Sequence, residues 1–256
     1  MYLFLLIFFL FGVLIGSFLN ALVWRIFVGK KIFFDRSMCP KCKHKLVWYD
    51  NIPLFSFLFL KGRCRYCREK ISWQYPLLEL ASGVLTAFVF YFYNSQSIVF
   101  PLEMWRDIVI IWFLLFIFVY DLRYQLITDF SVLLPAGVLF FFNLYFAWLT
   151  WQSMLFGLIF GAGFFALQYI ISKGAWIGGG DVRLAVFMAV ILGFSNTLFA
   201  LFLAYIIGAI VGVILIVNKK KKKMDAVPFG TFLTLATFVA MFWGDMIVNW
   251  YLSLIR

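Results

Sequence analysis

Long apolar runs broken by short polar stretches set the pattern of this chain. Taking roughly 18 to 22 apolar residues as one membrane crossing, the runs predict helices near 2–24, 77–94, 105–120, 130–149, 153–172, 182–194, 196–217 and 229–250. That makes eight crossings. The sixth run is short, and taking 182–217 as one tilted hairpin region leaves seven or nine open. The first run, Tyr2 to Trp24, lacks a positive leading region and a small-residue cleavage site, so it reads as a retained helix. The only sizeable soluble stretch is 25–76. The pattern predicts an all-α polytopic membrane protein of about eight transmembrane helices: a first helix at 1–24, a small cytoplasmic loop domain at 25–76 and a multi-helix membrane core at 77–256.

Composition agrees, with 65% hydrophobic, 22% aromatic and 13% charged residues and a mean hydropathy of +1.01, far from a soluble domain. A formal charge of +11 would suggest nucleic acid in a soluble protein. In a membrane protein the distribution of that charge matters first, and no nucleic-acid partner is expected. Assigning alternate loops to one side gathers 20 of the 22 Lys and Arg, including 12 in 25–76 and the run Lys219 to Lys223. Only Arg106 and Arg256 fall opposite. The positive-inside rule then makes the large loop cytoplasmic and turns both termini outward, with the lysine run against anionic headgroups of the bilayer. Asp121, Asp129 and Asp181 all fall at the cytoplasmic border.

The stretch Trp176 to Leu184 carries Gly178-Gly179-Gly180-Asp181 between two apolar runs. A carboxylate at the hydrocarbon border is costly and by default marks function. Glycines without Cβ let another backbone approach, so an extended peptide fits beside an acid here. The bland alternative is a glycine loop with Asp181 as a helix N-cap. The functional reading needs a second carboxylate, and Asp121 supplies it at the inner end of the third run. Two close carboxylates share a proton, so the ionised one takes a proton from water while the protonated one donates to the scissile carbonyl oxygen. Asp129 is a rival partner, with a structural explanation as the N-cap of the following helix. Arg183 either stabilises charge or snorkels. Glu79, just inside the second helix, is read as a substrate or cofactor contact or as a dipole-stabilised acid. With one histidine in the chain, a Ser-His-Asp triad and a His-Glu-x-x-His zinc motif are excluded, and no Walker lysine follows the glycines.

All four cysteines lie in the loop, as Cys39-Pro-Lys-Cys42 and Cys64-Arg-Tyr-Cys67 with 21 residues between the pairs. Two such knuckles suit a closed tetrahedral thiolate site for structural zinc. Disulfides are disfavoured in a reducing compartment. His44 is surplus to four ligands and reads as surface polar. Gly16-Ser-Phe-Leu-Asn20 puts small and polar residues on one strip of the first helix, which suits helix packing.

The ordered set resembles the bacterial type IV prepilin leader peptidases, of the GxGD aspartyl intramembrane protease group. The match comprises Gly-Ser-Phe-Leu-Asn with Arg25, the paired knuckles enclosing Asp50-Asn-Ile-Pro53, Tyr75-Pro-x-x-Glu79, an Asp121-x-Arg123 stretch ending in Asp129, Gly178-Gly-Gly-Asp181-Val and Pro228-Phe-Gly230. The resemblance implies that Asp121 and Asp181 are the catalytic pair. It implies cleavage of the basic leader of prepilins or pseudopilins at the cytoplasmic face of the bacterial inner membrane. It also implies methylation of the new N-terminus with S-adenosylmethionine, for which Glu79 and the loop are the expected location. The chain departs from the family pattern at Ile127-Thr128, at Arg183 and at Thr231, where Leu-Pro, Lys and often Pro are usual. Two other readings stay open: a peptidase without methyl transfer, and a transporter or scaffold whose acids relay protons.

Overall fold

Among the residues that this computed structural model describes, 1–31, 37–95, 98, 100–218 and 227–255, regular structure is helical apart from two isolated β-bridges. Lys219 to Lys223 and Arg256 lie outside the described residues. Among the described residues six helices are long and apolar enough to cross a membrane, so the chain is a polytopic membrane protein. It divides into two compact units, Met1–Phe116 and Ile117–Arg256.

The first unit holds α1 (Tyr2–Phe27), a short 3-10 turn at Trp48–Asn51, α2 (Phe55–Phe59), α3 (Gln74–Tyr93) and most of α4 (Leu102–Tyr124). With lipid outside, helices associate where small residues let backbones meet. A Cβ on Gly12 would lie 2.5 Å from Ser82 O, and one on Gly16 would lie 2.7 Å from Glu79 Cα. Ser82 Oγ donates to Gly12 O at 2.7 Å and Asn20 Nδ2 to Tyr75 O at 3.0 Å. The Gly16–Asn20 strip is thus a packing surface, as its spacing suggests. Pro76 sits in the first turn of α3, where its missing N–H costs nothing.

The second unit holds the end of α4, then α5 (Asp129–Phe146), α6 (Trp151–Gly157), a π-helical turn at Leu158–Ala162, α7 (Gly163–Ser172), α8 (Gly179–Val217) and α9 (Phe229–Ile255). The run expected at 153–172 is therefore α6 and α7 joined through the π turn. In α8, Gly193 breaks the helix with φ 68° and ψ −167°. A straight helix would hold residues 24 positions apart at roughly 36 Å, yet the charge of Asp181 reaches Tyr205. The chain therefore doubles back near Gly193, and α8 is two arms, as the runs 182–194 and 196–217 predict. Asn143 Nδ2, donating to Val190 O at 2.8 Å, ties α5 to the first arm. Counting both arms and α4 gives eight apolar segments among the described residues. α4 falls outside the six because every 18-residue stretch of it carries at least three of the charged residues Glu103, Arg106, Asp107, Asp121 and Arg123.

Candidate active site and metal centre

Asp121 lies inside α4, which continues to Tyr124, and not in a loop after Tyr120 as the hydropathy suggests. Polar residues at the membrane border extend a helix as readily as they end one. The turn comes at Gln125, in the left-handed region at φ 53°, whose N–H donates to Asp121 O at 2.8 Å. The carboxylate is 4% exposed. It is met by the start of α9, where Thr231 N–H donates to Asp121 Oδ2 at 2.9 Å and the Gly230 backbone also contributes. The first N–H groups of a helix have no partner within it and point their partial positive charge outward, so they hold an anion. Gly230 is required there, since a Cβ would lie 2.9 Å from Asp121 Oδ2 and 2.9 Å from Ile127 Cδ1.

Asp181 sits in the first turn of α8, whose N-cap is Gly178 and not Asp181 itself. Three residues past the cap, its carboxylate reaches back to the Gly178 backbone, the reciprocal half of a capping box. Asp121 and Asp181 are near enough for their charges to interact. Between their supports lies Ile127: a Cβ on Gly180 would come within 3.0 Å of Ile127 Cβ. Gly180 and Gly230 thus press on one side chain from two helix starts, each beside one aspartate. Of the three glycines before Asp181, Gly178 alone is well exposed.

Asp129 is not the N-cap of α5. Thr128 takes that position with extended backbone, and Asp129 is the first helical residue. Its carboxylate forms an ion pair with Arg183 of α8, both side chains being substantially exposed. This gives Arg183 a carboxylate partner beside the glycines and leaves Asp121, buried, and Asp181, half-buried, as the interacting pair. Sequence reasoning read the first turn of α9 as a helix start and gave it no site role. Pro228-Phe229-Gly230 before an apolar run was the available signal, because it marks a helix start.

Glu79 belongs to the first unit. It is 7% exposed and accepts the Leu54 N–H at 2.8 Å. Leu54 holds φ 60°, an uncommon conformation for a residue with a branched side chain beyond Cβ. Glu79 thereby anchors the Asp50–Pro53 turn to α3.

Cys39, Cys42, Cys64 and Cys67 converge, their sulfurs all within 4.8 Å of one another, and Cys39 and Cys67 Sγ are 3.9 Å apart. The two knuckles are structural copies. Cys39 N–H donates to His44 O and Lys43 N–H to Cys39 O, while Cys64 N–H donates to Glu69 O and Arg68 N–H to Cys64 O. Lys43 and Arg68 share φ 60°, and bridges Met38–Lys45 and Arg63–Lys70 close the two loops. Burial pushes the Cys39 thiol up, but hydrogen bonds led by the Cys42 and Lys41 backbones outweigh it and bring it down to about 7. At Cys67 a hydrogen bond from the Glu69 backbone pulls the other way, yet burial and the neighbouring sulfurs push the thiol up to about 11. Four crowded sulfurs resist ionising together unless a cation joins them. His44 stacks on Tyr66 at 3.6 Å, outside the four-sulfur cluster. Asp50 accepts from Arg65 Nε at 2.8 Å and Tyr66 Oη at 3.3 Å, bracing the second knuckle.

The fold and these sites define a helical, multi-pass membrane protein with an interacting aspartate pair in one unit and a four-thiol cluster in the other. Residues 10–93 match the bacterial peptidase A24 N-terminal domain and residues 108–213 the type IV leader peptidase family. The chain belongs to the type IV leader peptidase family. It is similar to prepilin leader peptidase/N-methyltransferases of Bacillus subtilis (31% identical, covering 97% of this chain and 98% of the relative) and Aeromonas salmonicida (30%, 96% and 93%). A relative of the same name from Legionella pneumophila is 30% identical over 95% of this chain and 93% of its own. No solved structure matches the chain at a significant level.

Proposed function

We propose that this protein cleaves the N-terminal leader of type IV prepilins or pseudopilins with Asp121 and Asp181, and methylates the new N-terminus with S-adenosylmethionine. The single observation that carries the peptidase reading is the aspartate pair itself, two interacting carboxylates, Asp121 buried and Asp181 half-buried, each steadied by the backbone of a helix start. Family membership and the relatives' names support the substrate class and the second activity.

In this reading a prepilin's own apolar helix lies in the bilayer beside α4, α8 and α9, with the scissile bond at Gly178–Gly180. One aspartate, ionised, removes a proton from water as the water attacks the carbonyl carbon. The other, protonated, donates to the carbonyl oxygen. Arg183, held by Asp129, borders the site and meets the substrate.

Residues 25–76 are the metal-binding domain and 77–256 carry the peptidase core. The four cysteines suit zinc, since tetrahedral Zn–S bonds of about 2.3 Å need sulfurs about 3.8 Å apart, close to the observed 3.9 Å between Cys39 and Cys67. Four thiolates fill the coordination shell, so the metal would supply folding energy and no open position. For S-adenosylmethionine, Asn20 Oδ1 is buried without a partner and Glu79 lies on the facing helix. Both are acceptors for the ammonium and hydroxyl groups of that cofactor. The charge distribution supports an inner-membrane protein with the loop cytoplasmic and the termini outward.

Purified protein incubated with a prepilin and methyl-labelled S-adenosylmethionine tests the reading. Leader loss and label transfer are both expected. Leader loss alone would leave a peptidase, and neither would favour the transporter or scaffold.

A further inference from the structure

Between the two knuckles, Phe55-Ser-Phe-Leu-Phe59 forms α2, and its Phe55, Leu58 and Phe59 are exposed on one face, Phe59 at 82%. Such a face is unusual on a loop in water. The remaining ring, Phe57, turns inward onto Trp73 with ring centroids 5.0 Å apart. Trp73 is the residue from which α3 starts, and it is 69% exposed. Below it, Leu77, Leu80, Val84 and Tyr91 continue an exposed apolar stripe along α3. Spacings of four, three, four and seven residues keep that stripe on one side of the helix. α3 is a membrane-crossing helix, so this stripe faces lipid and Trp73 heads it at the level where indole rings concentrate, the border of headgroups and chains.

Phe57 fixes α2 to Trp73, and the Leu54 N–H bond to Glu79 fixes the start of α2 to the same first turns of α3. The exposed face of α2 is therefore continuous with the lipid face of α3. Basic side chains border it. Lys61, Arg63, Arg68 and Lys70 follow α2 and are exposed, and residues 25–76 carry 12 Lys and Arg against three acids, Asp35, Asp50 and Glu69. Apolar rings flanked by cations match the two layers of an anionic bilayer surface.

We propose that α2 is an in-plane membrane anchor: Phe55, Leu58 and Phe59 insert among the lipid chains beside α3, and the cations after α2 bind anionic headgroups. The anchor holds the four-cysteine domain flat on the bilayer. Substrate whose cleavage point lies at the membrane border then meets this domain without leaving the surface. The inference needs only the membrane-crossing role of α3 and stands apart from the assignment of the aspartates.

The test uses the full chain with an environment-sensitive fluorescent amino acid at Phe59, and in a second preparation at Lys43 on the first knuckle. Both are reconstituted into bilayers of phosphatidylglycerol and phosphatidylethanolamine with brominated acyl chains. Quenching severalfold stronger at Phe59 than at Lys43, weakening when the anionic lipid is replaced by a zwitterionic one, is expected. Equal weak quenching at both sites overturns the proposal, as does a Phe59 probe shielded from water-soluble quencher and lipid bromine alike, which marks a protein partner. Quenching that ignores lipid charge overturns the headgroup half. A second arm covers disturbance of α2 by the probe. Phe55→Ser, Leu58→Ser and Phe59→Ser together should leave bound metal unchanged and speed backbone hydrogen exchange at 55–62 in bilayers, and unchanged exchange overturns the anchor.

Discussion

Thr231 and Asp121, 110 residues apart in the chain, meet at 2.9 Å, the Thr231 N–H donating to Asp121 Oδ2. The contact is made by backbone, so the Thr231 side chain is dispensable to it while the N–H is not. Its hydroxyl is occupied elsewhere, donating to Pro228 O at 2.7 Å. Proline is tolerated in the first turn of a helix, so Thr231→Pro removes this one donor and leaves α9 intact. The family often carries proline here and the Gly230 backbone also contributes to Asp121, so losing the Thr231 donor should lower leader cleavage by no more than about tenfold. Thr231→Ala should stay near wild type. Cleavage kinetics on a purified prepilin compare the two, and equal losses would move the effect to the side chain.

Gly230 tests the same cradle by crowding. A methyl group there meets Asp121 Oδ2 and Ile127 Cδ1, each at 2.9 Å, and the carboxylate must move. Gly230→Ala should reduce leader cleavage at least as much as Thr231→Pro. Methyl transfer to a pilin already cleaved should persist, because Glu79 and the cysteine cluster lie in the other unit. Parallel loss of both activities would point to general misfolding.

Much of this was legible in the sequence because the informative contacts are local. Apolar runs identify helices wherever they pack, and Cys-x-x-Cys brings two ligands together within one turn. Even the break in α8 shows as the short run ending near Gly193. What was hidden depends on distant partners. Nothing near Gly230 says that its N–H faces Asp121, since the carboxylate arrives from another helix. The N-cap of α5 was misplaced by one residue because Thr and Asp are both good capping residues and stand side by side. The extent of α4 past Tyr120 was hidden because hydropathy reports lipid contact and not helical backbone. The Asp129–Arg183 pair joins two helix starts that the sequence leaves unrelated.

That ion pair lies where solvent screens it, with side chains 64% and 40% exposed at Asp129 and Arg183 respectively. Exposed pairs contribute about 0–1 kcal/mol, so Asp129→Asn should barely change thermal stability. Cleavage should fall by no more than about tenfold, since the loss is one of orientation at Arg183. Asp121→Asn and Asp181→Asn should each abolish cleavage while the protein still inserts. A leader-cleavage assay on the three variants separates the pair from its rival, and an inactive Asp129→Asn would reopen the assignment.

Gly193 makes the reversal of α8 possible. Its φ of 68° is a conformation that side chains disfavour, and an added Cβ would come within 2.5 Å of Ser153 Oγ. With ψ at −167° Gly193 lies in a region that is essentially glycine-only, and holding an alanine there costs about 1–3 kcal/mol before the clash is counted. Gly193→Ala should lower the melting temperature and the yield of folded protein, measured in detergent by a thermal-shift assay. Gly193→Ala with Ser153→Ala should recover part of the loss by clearing the nearest atom, although Phe194 N–H then loses the hydroxyl it donates to at 3.0 Å.

Metal removal probes the other unit. Cys39 is poised near 7 and Cys67 near 11, so at neutral pH without metal Cys67 keeps its proton and Cys39 keeps its own in part. Binding a cation must expel those protons. Acid therefore competes with metal, and affinity should weaken steadily as pH falls, with proton release on loading measurable in a weakly buffered solution. Purified protein should carry about one zinc per chain, lost on treatment with a strong chelator or on replacing Cys39 and Cys64 by serine. The knuckles should then become protease-sensitive between 37 and 73, because a metal on the four converging cysteines ties the two loops together. Leader cleavage should outlast methyl transfer in the stripped protein, since the aspartates and the cysteines belong to different units. Elemental analysis, limited proteolysis and the two activity assays on the same sample check each step, and a wild-type protein free of metal yet fully protease-resistant at 37–73 would overturn the zinc assignment.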